Sequence, residues 1–151
     1  MTRRGTLHAD GAARGNPGPA AIGVALYDEN EREVVAFGRC IGETTNNVAE
    51  YHALIAGLKA AADDGFDELS VKLDSELLVR QMTGVYKVKS PHLKPLHEQA
   101  RALVARFANV RFQHVPRALN RRADELCNKA LDDHSAADAA SRAGEDSLRL
   151  F

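Results

Sequence analysis

The sequence predicts an α/β fold in which a five-stranded mixed sheet is flanked by helices. Segments of alternating apolar residues fill 6–41 and are joined by turns, which is typical of an antiparallel meander. Beyond 41, segments with helical periodicity alternate with two further strands. Helices then connect strands 1, 4 and 5, so these three strands are expected to be parallel, while the first three strands are antiparallel. An apolar fraction of 44% in 151 residues suffices for one core.

The strands are identified by alternation and by the turns that separate them. The glycine- and proline-rich stretch 11–19 ends the first strand, and the polar stretch DENERE at 28–33 ends the second. In the fourth strand, Leu69, Val71 and Leu73 alternate with polar residues. The five strands are predicted over 6–13, 20–28, 34–41, 68–74 and 109–115.

The helices are identified by a change of period and by capping residues. Val48, Tyr51, Ile55, Leu58 and Ala62 form one stripe after the capping residues TTNN. Helices are predicted over 44–65, 75–84, 93–107 and 118–133. Because Ala, Asp, Ser and Gly dominate afterwards, we expect one domain over 1–132 and a flexible tail or linker over 133–151, with an apolar patch at LRLF.

Composition narrows the class of protein. The sequence has no long apolar run and no signal-peptide pattern, so we expect a cytoplasmic protein without a membrane partner. Cys40 and Cys127 lack zinc-site spacing and are expected to be free thiols. Net charge is −1, yet the stretch from Arg80 to Arg122 carries ten Lys or Arg residues and one acid, Glu98. That asymmetry favours a surface that meets a polyanion, with solvated helix faces as the alternative.

Four carboxylates stand at positions that could meet. Asp10 and Asp74 end two strands that should be parallel, and the carboxyl ends of such strands form the usual ligand crevice. Glu50 lies in the first turns of the first helix, and Asp124 lies in the final helix. Taken singly, each has an ordinary explanation as a turn cap, a helix cap, a dipole partner or half of an ion pair. Together they would repel one another and have raised pKa values unless cations relieve the repulsion.

Oxygen-only ligands of this kind favour Mg²⁺, with Mn²⁺ as a substitute, over zinc. Two such ions about 4 Å apart can clamp a phosphodiester, activating a water on one side and stabilising the leaving oxygen on the other. A phosphate could then approach an acidic pocket, because the ions reverse its charge.

The local contexts of these acids resemble type I ribonuclease H. The match is carried by DGAARGNPGP at 10–19, TTNNVAEYHAL at 44–54, LDSELLV at 73–79 and NRRADELCNKAL at 120–131. The resemblance covers about 1–131 and implies the ribonuclease H-like fold and an endonuclease that hydrolyses the RNA strand of an RNA–DNA hybrid. It implies that Asp10, Glu50, Asp74 and Asp124 are the catalytic residues and hold two Mg²⁺ ions in the active complex.

The resemblance also implies a set of nucleic-acid contacts. Short polar side chains and turn amides suit a minor groove, where 2′-hydroxyls distinguish RNA from DNA. Plain helix capping is the alternative for Asn46 and Asn47. The expected contacts are Gly11, Gly15, Asn16, Thr45, Asn46, Asn47, Ser75, Arg80, Lys87, Lys89, Arg117 and Asn120.

The sequence departs from the family pattern in three places. The stretch GVYKVKSPHLKPL is short and has no tryptophan where many members carry a basic protrusion. Glu76 and Leu77 stand where a neutral polar residue and an aromatic are common. His114 precedes a VP pair that ends the last strand, so we place it on the strand and Arg117 in the loop. These departures favour a subgroup that lacks the protrusion and the loop histidine.

Two alternative functions stay open at this point. The basic segment also suits a non-catalytic module that binds a hybrid or duplex RNA, and the fold also suits a nuclease that acts on double-stranded RNA. Retention of all four carboxylates favours catalysis. Nothing in the sequence requires more than a monomer.

Overall fold

The computed structural model describes the backbone of residues 2–149 and the side chains of 2–140. It contains one five-stranded sheet in the order β3-β2-β1-β4-β5. Pairing is antiparallel between β1 and β2 and between β2 and β3, and parallel between β1 and β4 and between β4 and β5. The predicted mixed sheet is therefore confirmed. The strands are β1 (Arg4–Ala13), β2 (Gly18–Asp28), β3 (Glu33–Thr44), β4 (Glu68–Leu73) and β5 (Asn109–His114).

The helices begin at residues whose side chains cap them. The Thr45 hydroxyl accepts a hydrogen bond from the Val48 amide, and the Ser75 hydroxyl accepts one from the Leu78 amide. A short 3₁₀ turn, Arg117–Asn120, precedes the last helix. The helices are α1 (Asn46–Asp63), α2 (Glu76–Met82), α3 (Lys94–Val104) and α4 (Arg121–Arg149).

The two faces of the sheet are covered by different helices. Successive residues of β2 point to opposite faces: Ile22 packs in the core cluster with α1, while Ala21 packs with Cys127 of α4. Glycines allow the helices to approach the strands closely. A Cβ at Gly11 would collide with the α1 backbone at Ala49, and one at Gly23 would collide with the α4 backbone at Ala123. The site residues on these helices are thereby held near β1.

The final helix differs from the expectation. We predicted a helix over 118–133 and little structure beyond, whereas 117–120 form a 3₁₀ turn and α4 continues to Arg149. The reason is local propensity, because 133–149 contain five alanines and no proline to end the helix. The domain limit at 132 and the role of 133–151 as a linker stay predictions. The LRLF patch lies outside the described side chains. Within 2–149, no helix combines the length and apolarity needed to cross a bilayer.

Candidate active site

The sheet brings Asp10 and Asp74 to one edge. Parallel pairing of β1 with β4 ends at His8 and Lys72, and Asp10 and Asp74 each follow two residues later. Asp10 does not end its strand as expected, because β1 continues to Ala13 in antiparallel pairing with β2. The difference leaves the site position unchanged, since the parallel pair still splits apart at Asp10.

The other two acids reach this edge from helices on opposite faces. Glu50 lies in the second turn of α1 and lines one small cleft together with Asp10, Asp74 and Ser75. Asp124 lies in the first turn of α4, where it interacts with Asp10 by charge and by a hydrogen bond. The sequence-predicted acids therefore gather around Asp10.

Asp10 carries the strongest electrostatic perturbation. It is 6% exposed, and its Oδ2 atom is buried without any hydrogen-bond partner. Burial, followed by the charge of Asp74 and by Asp124, raises the Asp10 pKa to about 8. Burial, and to a smaller extent the charge of Asp74, raises the Glu50 pKa to about 7, while a hydrogen bond with Ser75 opposes this shift. The site holds more negative charge than its own side chains neutralise.

Arg117 supplies the nearest positive charge. Its Nη2 atom lies 3.2 Å from Oδ1 of Asp124, and the charge of Asp124 is the main cause of the raised Arg117 pKa. The same guanidinium lowers the Asp10 pKa, although burial and the neighbouring acids outweigh it. Arg117 thus acts as a partial counter-ion, and its side chain remains largely exposed on the outer side of the acids.

The four acids are chemically suited to bind divalent cations, but they are not already arranged as a complete coordination site. Among residues 2–140, no group of three or more histidine, cysteine, aspartate or glutamate side chains is already arranged to hold a metal ion. The acids instead interact in pairs, Asp10 with Asp74, Asp10 with Asp124, and Glu50 with Asp74. The donors are carboxylate oxygens, as Mg²⁺ and Mn²⁺ prefer, and the orphaned Asp10 Oδ2 is an acceptor that a cation would satisfy.

Two of the expected nucleic-acid contacts are buried. Asn120 is 1% exposed, and its amide is engaged with Ala9, His8 and Asp74. Gly11 is buried against the α1 backbone. Burial of these two residues argues against their direct contact with a nucleic acid, which stays a prediction. The sequence pattern marks Asn120 and Gly11 because they build the site, and burial could not be read from the motif.

The asparagines form a hydrogen-bonded group that joins the β1–β2 turn to the start of α1. The Asn46 side chain accepts a hydrogen bond from the Ala13 amide at 2.7 Å, and the Asn16 side chain accepts one from the Asn46 amide at 3.1 Å. The cap of α1 is Thr45, so neither Asn46 nor Asn47 caps the helix. Gly15, Asn16, Asn46 and Asn47 are exposed to solvent, although the side-chain oxygens of Asn16 and Asn46 are already hydrogen-bonded within the protein.

A surface cavity of about 500 Å³ adjoins these asparagines. Asn16, Thr45 and Asn47 line one side of it, and Ser90 and His92 line the other. Nothing in the sequence singles out His92, which lies in the loop between α2 and α3. Its closeness to the asparagines depends on tertiary folding.

Three of the expected basic contacts, Arg80, Lys87 and Lys89, lie on α2 and in the loop that follows it. The Arg80 guanidinium bonds Glu76 at 2.8 Å and lies 5.3 Å from the centre of the Tyr86 ring. Tyr86, which is 46% exposed and was not singled out in the sequence, stands beside exposed Lys87 and Lys89. The Ser75 hydroxyl caps α2 and hydrogen-bonds Glu50, so both of its interactions lie within the protein. His114 ends β5 as placed.

Comparison with known proteins gives consistent matches. A family model described as "Reverse transcriptase-like" matches residues 8–130. A protein named Ribonuclease HI from Halobacterium salinarum is 50% identical over 133 residues, which are 87% of this chain and 67% of that protein. A protein of Mycobacterium tuberculosis described as bifunctional is 47% identical over 137 residues, and the chain spans only 38% of its length.

Solved structures agree with these relatives. The crystal structure of RNase H1 from Halobacterium salinarum has a TM-score of 0.84 and 48% identity, covering 86% of this chain and 98% of that one. A crystal structure of LC11-RNase H1 in complex with an RNA/DNA hybrid has a TM-score of 0.81 and 47% identity, again covering 86% and 98%. Both likenesses extend over most of the described fold.

Proposed function

The chain belongs to the ribonuclease HI family of enzymes, and from that premise we propose that it cleaves the RNA strand of RNA–DNA hybrids with two divalent cations. The single observation that carries the two-cation mechanism is the Asp10 carboxylate. It is buried, has an orphaned oxygen, and lies among further acids whose effect on its pKa outweighs that of Arg117. A related enzyme, LC11-RNase H1, has been crystallised with an RNA/DNA hybrid, which supports the substrate class.

The four acids would together hold the cations. Asp10 would be the central ligand, because it interacts with both Asp74 and Asp124, and Glu50 would contribute from its place beside Asp74. The bound cations supply activation of a water nucleophile and stabilisation of the leaving oxygen. Mg²⁺ is the expected ion and Mn²⁺ its substitute, since all donors are oxygens.

Binding of cations requires ionised ligands, so the chain's own protons must leave. Asp10, with a pKa of about 8, and Glu50, with a pKa of about 7, would both release protons as cations bind at neutral pH. The fold therefore holds these acids in a costly arrangement that ligand binding relieves. Raised pKa values in a cluster of acids are typical of a functional site, and here they suit a site that binds cations.

Arg117 would contribute to substrate binding as well as to the charge balance of the acids. Its guanidinium contacts Asp124 at 3.2 Å, and a cation at Asp124 would compete for that carboxylate. The Arg117 side chain is largely exposed, so its guanidinium would also be able to donate two hydrogen bonds to a phosphate of the bound strand.

Recognition of RNA rests on the exposed group formed by Gly15, Asn16, Asn46 and Asn47. These side chains and turn amides are short and neutral, so they can enter a minor groove and read 2′-hydroxyls. Arg80, Lys87 and Lys89 contribute sequence-independent attraction to phosphates. Affinity should therefore fall with salt, while discrimination between RNA and DNA should not.

A cleavage panel tests the proposal. Wild type with Mg²⁺ is given an RNA–DNA hybrid, duplex RNA and duplex DNA, each labelled on both strands. We expect cuts in the RNA strand of the hybrid only, loss of cleavage in EDTA, and loss of cleavage in Asp10→Asn. Asp63→Asn, which changes an exposed aspartate at the end of α1, is the matched control and should retain activity.

The panel also separates the alternatives. Cuts in duplex RNA at a comparable rate would assign a broader nuclease. Tight hybrid binding without a Mg²⁺-dependent product, even at high protein concentration, would refute catalysis and leave a binding module.

A further inference from the structure

Asn120 makes an unusual set of interactions for a side chain with no assigned role. Its Nδ2 atom donates to the Ala9 carbonyl at 2.9 Å and reaches Oδ1 of Asp74 at 3.5 Å. Its Oδ1 atom lies 3.1 Å from Nδ1 of His8. One buried amide therefore touches β1, the residue that follows β4, and a histidine of β1.

The direction of each hydrogen bond follows from the partners. The Ala9 carbonyl can only accept, so the amide nitrogen of Asn120 must face β1 and Asp74. The amide oxygen then faces His8, and since that oxygen can only accept, Nδ1 of His8 must carry the hydrogen. The His8 ring is itself held edge-on against Tyr27, with ring centres 5.7 Å apart. The chain of contacts runs from His8 through Asn120 to Asp74.

We propose that Asn120 is a positioning residue that holds Asp74 for cation binding, and that His8 fixes the orientation of the Asn120 amide. This inference rests on the proposed function. The amide donor engages one oxygen of Asp74 and leaves the other for a cation. It also bonds the Ala9 carbonyl, next to Asp10, so β1 and the residue that follows β4 are held together just beyond the point where their parallel pairing stops.

The geometry separates this role from direct contact with nucleic acid. At 1% exposure, Asn120 has no surface to offer a substrate, and both ends of its amide are engaged within the protein. Residues that orient metal ligands typically change metal affinity or activity by about 10–100-fold when removed. Removal of a substrate contact changes KM instead.

Cation affinity measured without nucleic acid is the decisive readout. Mn²⁺ is titrated by isothermal calorimetry into wild type, Asn120→Ala and the matched control Asn128→Ala, which removes an amide elsewhere on α4. We expect Asn120→Ala to bind Mn²⁺ about 10-fold or more weakly. Its KM for a hybrid at saturating Mn²⁺ should equal that of wild type, and Asn128→Ala should match wild type in both measurements.

Two results would overturn the inference. A raised KM with unchanged Mn²⁺ affinity would make Asn120 a substrate contact. A lowered melting temperature with unchanged Mn²⁺ affinity and kcat would make it a packing residue only. Neither result affects the proposed function, which stands as long as wild type cleaves the hybrid. If wild type binds Mn²⁺ but does not cleave the hybrid, the proposed function is refuted and the role of Asn120 in Mn²⁺ binding can still be measured.

His8→Phe tests whether the hydrogen bond from His8 orients the Asn120 amide, and it remains informative if Asn120→Ala fails to fold. The substitution keeps an aromatic ring against Tyr27 but removes the hydrogen that His8 donates to Asn120. We expect a several-fold loss of Mn²⁺ affinity in wild type and no further loss in the Asn120→Ala background. Unchanged Mn²⁺ affinity in His8→Phe would refute the proposal that His8 fixes the orientation of the Asn120 amide.

Discussion

Replacing Asp10 with asparagine should destroy activity and yet stabilise the cation-free protein. The Asp10 pKa is raised from 3.8 to about 8, chiefly by burial and secondly by Asp74. Between these values the unfolded chain gives up its proton while the folded chain retains it, so the unfolded state gains relative stability as pH rises. The folded state is thus favoured below pH 4 and loses that contribution as pH rises through about 8.

The magnitude follows from the size of the shift. At pH 8 nearly the whole shift is expressed, which corresponds to about 5 kcal/mol at about 1.4 kcal/mol per unit. The introduced amide must itself be buried with an incomplete set of partners, which costs about 1–3 kcal/mol. The net gain expected is about 2–4 kcal/mol at pH 8, or roughly 5–15 °C in melting temperature for a chain of this size.

Thermal melts in EDTA from pH 4 to pH 9 measure this gain. Asp10→Asn should melt above wild type at pH 8, and the difference should shrink and then reverse toward pH 4, where only the cost of the buried amide remains. The exposed control Asp63→Asn should show no such pH dependence. If Asp10→Asn melted below wild type at pH 8, or by a constant difference at every pH, the claim that Asp10 is held at an electrostatic cost would be refuted.

The other predictions concern cations, pH, packing and salt. Mn²⁺ binding at pH 7 should release protons, seen as a heat of binding that varies with the ionisation enthalpy of the buffer, and should raise the melting temperature of wild type but not of Asp10→Asn. Arg117→Gln removes a charge that lowers the Asp10 pKa, so the acid limb of the pH–rate profile should move to higher pH; an unmoved limb would disprove that coupling. Gly11→Ala forces a Cβ into the α1 backbone and should lower the free energy of unfolding by about 3 kcal/mol in urea melts. Gly84→Ala, where the Cβ would have open space but φ is 80°, should lower it by about 1 kcal/mol. Equal losses in the two variants would contradict the close packing of Gly11 against α1. Lys87→Ala should weaken hybrid binding and reduce the salt slope by about one, with cleavage at saturating hybrid unchanged; an unaltered slope would remove Lys87 from the interface.

Sequence reasoning correctly predicted the structural features that depend on residue periodicity or on neighbouring residues in the chain. Alternation in β4 and the change of period at α1 place Asp74 and Glu50 correctly, because both follow from which residues must face a core. The parallel relation of β1 and β4 follows from the helix between them, and that relation brings Asp10 beside Asp74. The resemblance added the roles of these acids but no geometry.

The remaining features depend on tertiary contacts. Nothing local shows that Asn120 is buried, since it lies in a polar stretch with two arginines, and only packing of the 3₁₀ turn under β1 hides it. Tyr86 is placed beside Arg80 by a loop whose backbone folds back on α2, through hydrogen bonds from the Val85 and Tyr86 amides to the Arg80 carbonyl. The extension of α4 to Arg149 was missed because a polar, alanine-rich stretch suits a linker as well as a helix.

The central claim is that Asp10, Glu50, Asp74 and Asp124 form one site for two divalent cations. Anomalous diffraction from crystals of the protein with a hybrid and Mn²⁺ tests it most directly, using a substrate with non-hydrolysable linkages to prevent turnover. We expect two Mn²⁺ peaks, both within bonding distance of Asp10, with the other three acids divided between them. Mn²⁺ found elsewhere on the surface, with Asp10 still buried and unbound beside the hybrid, would contradict it.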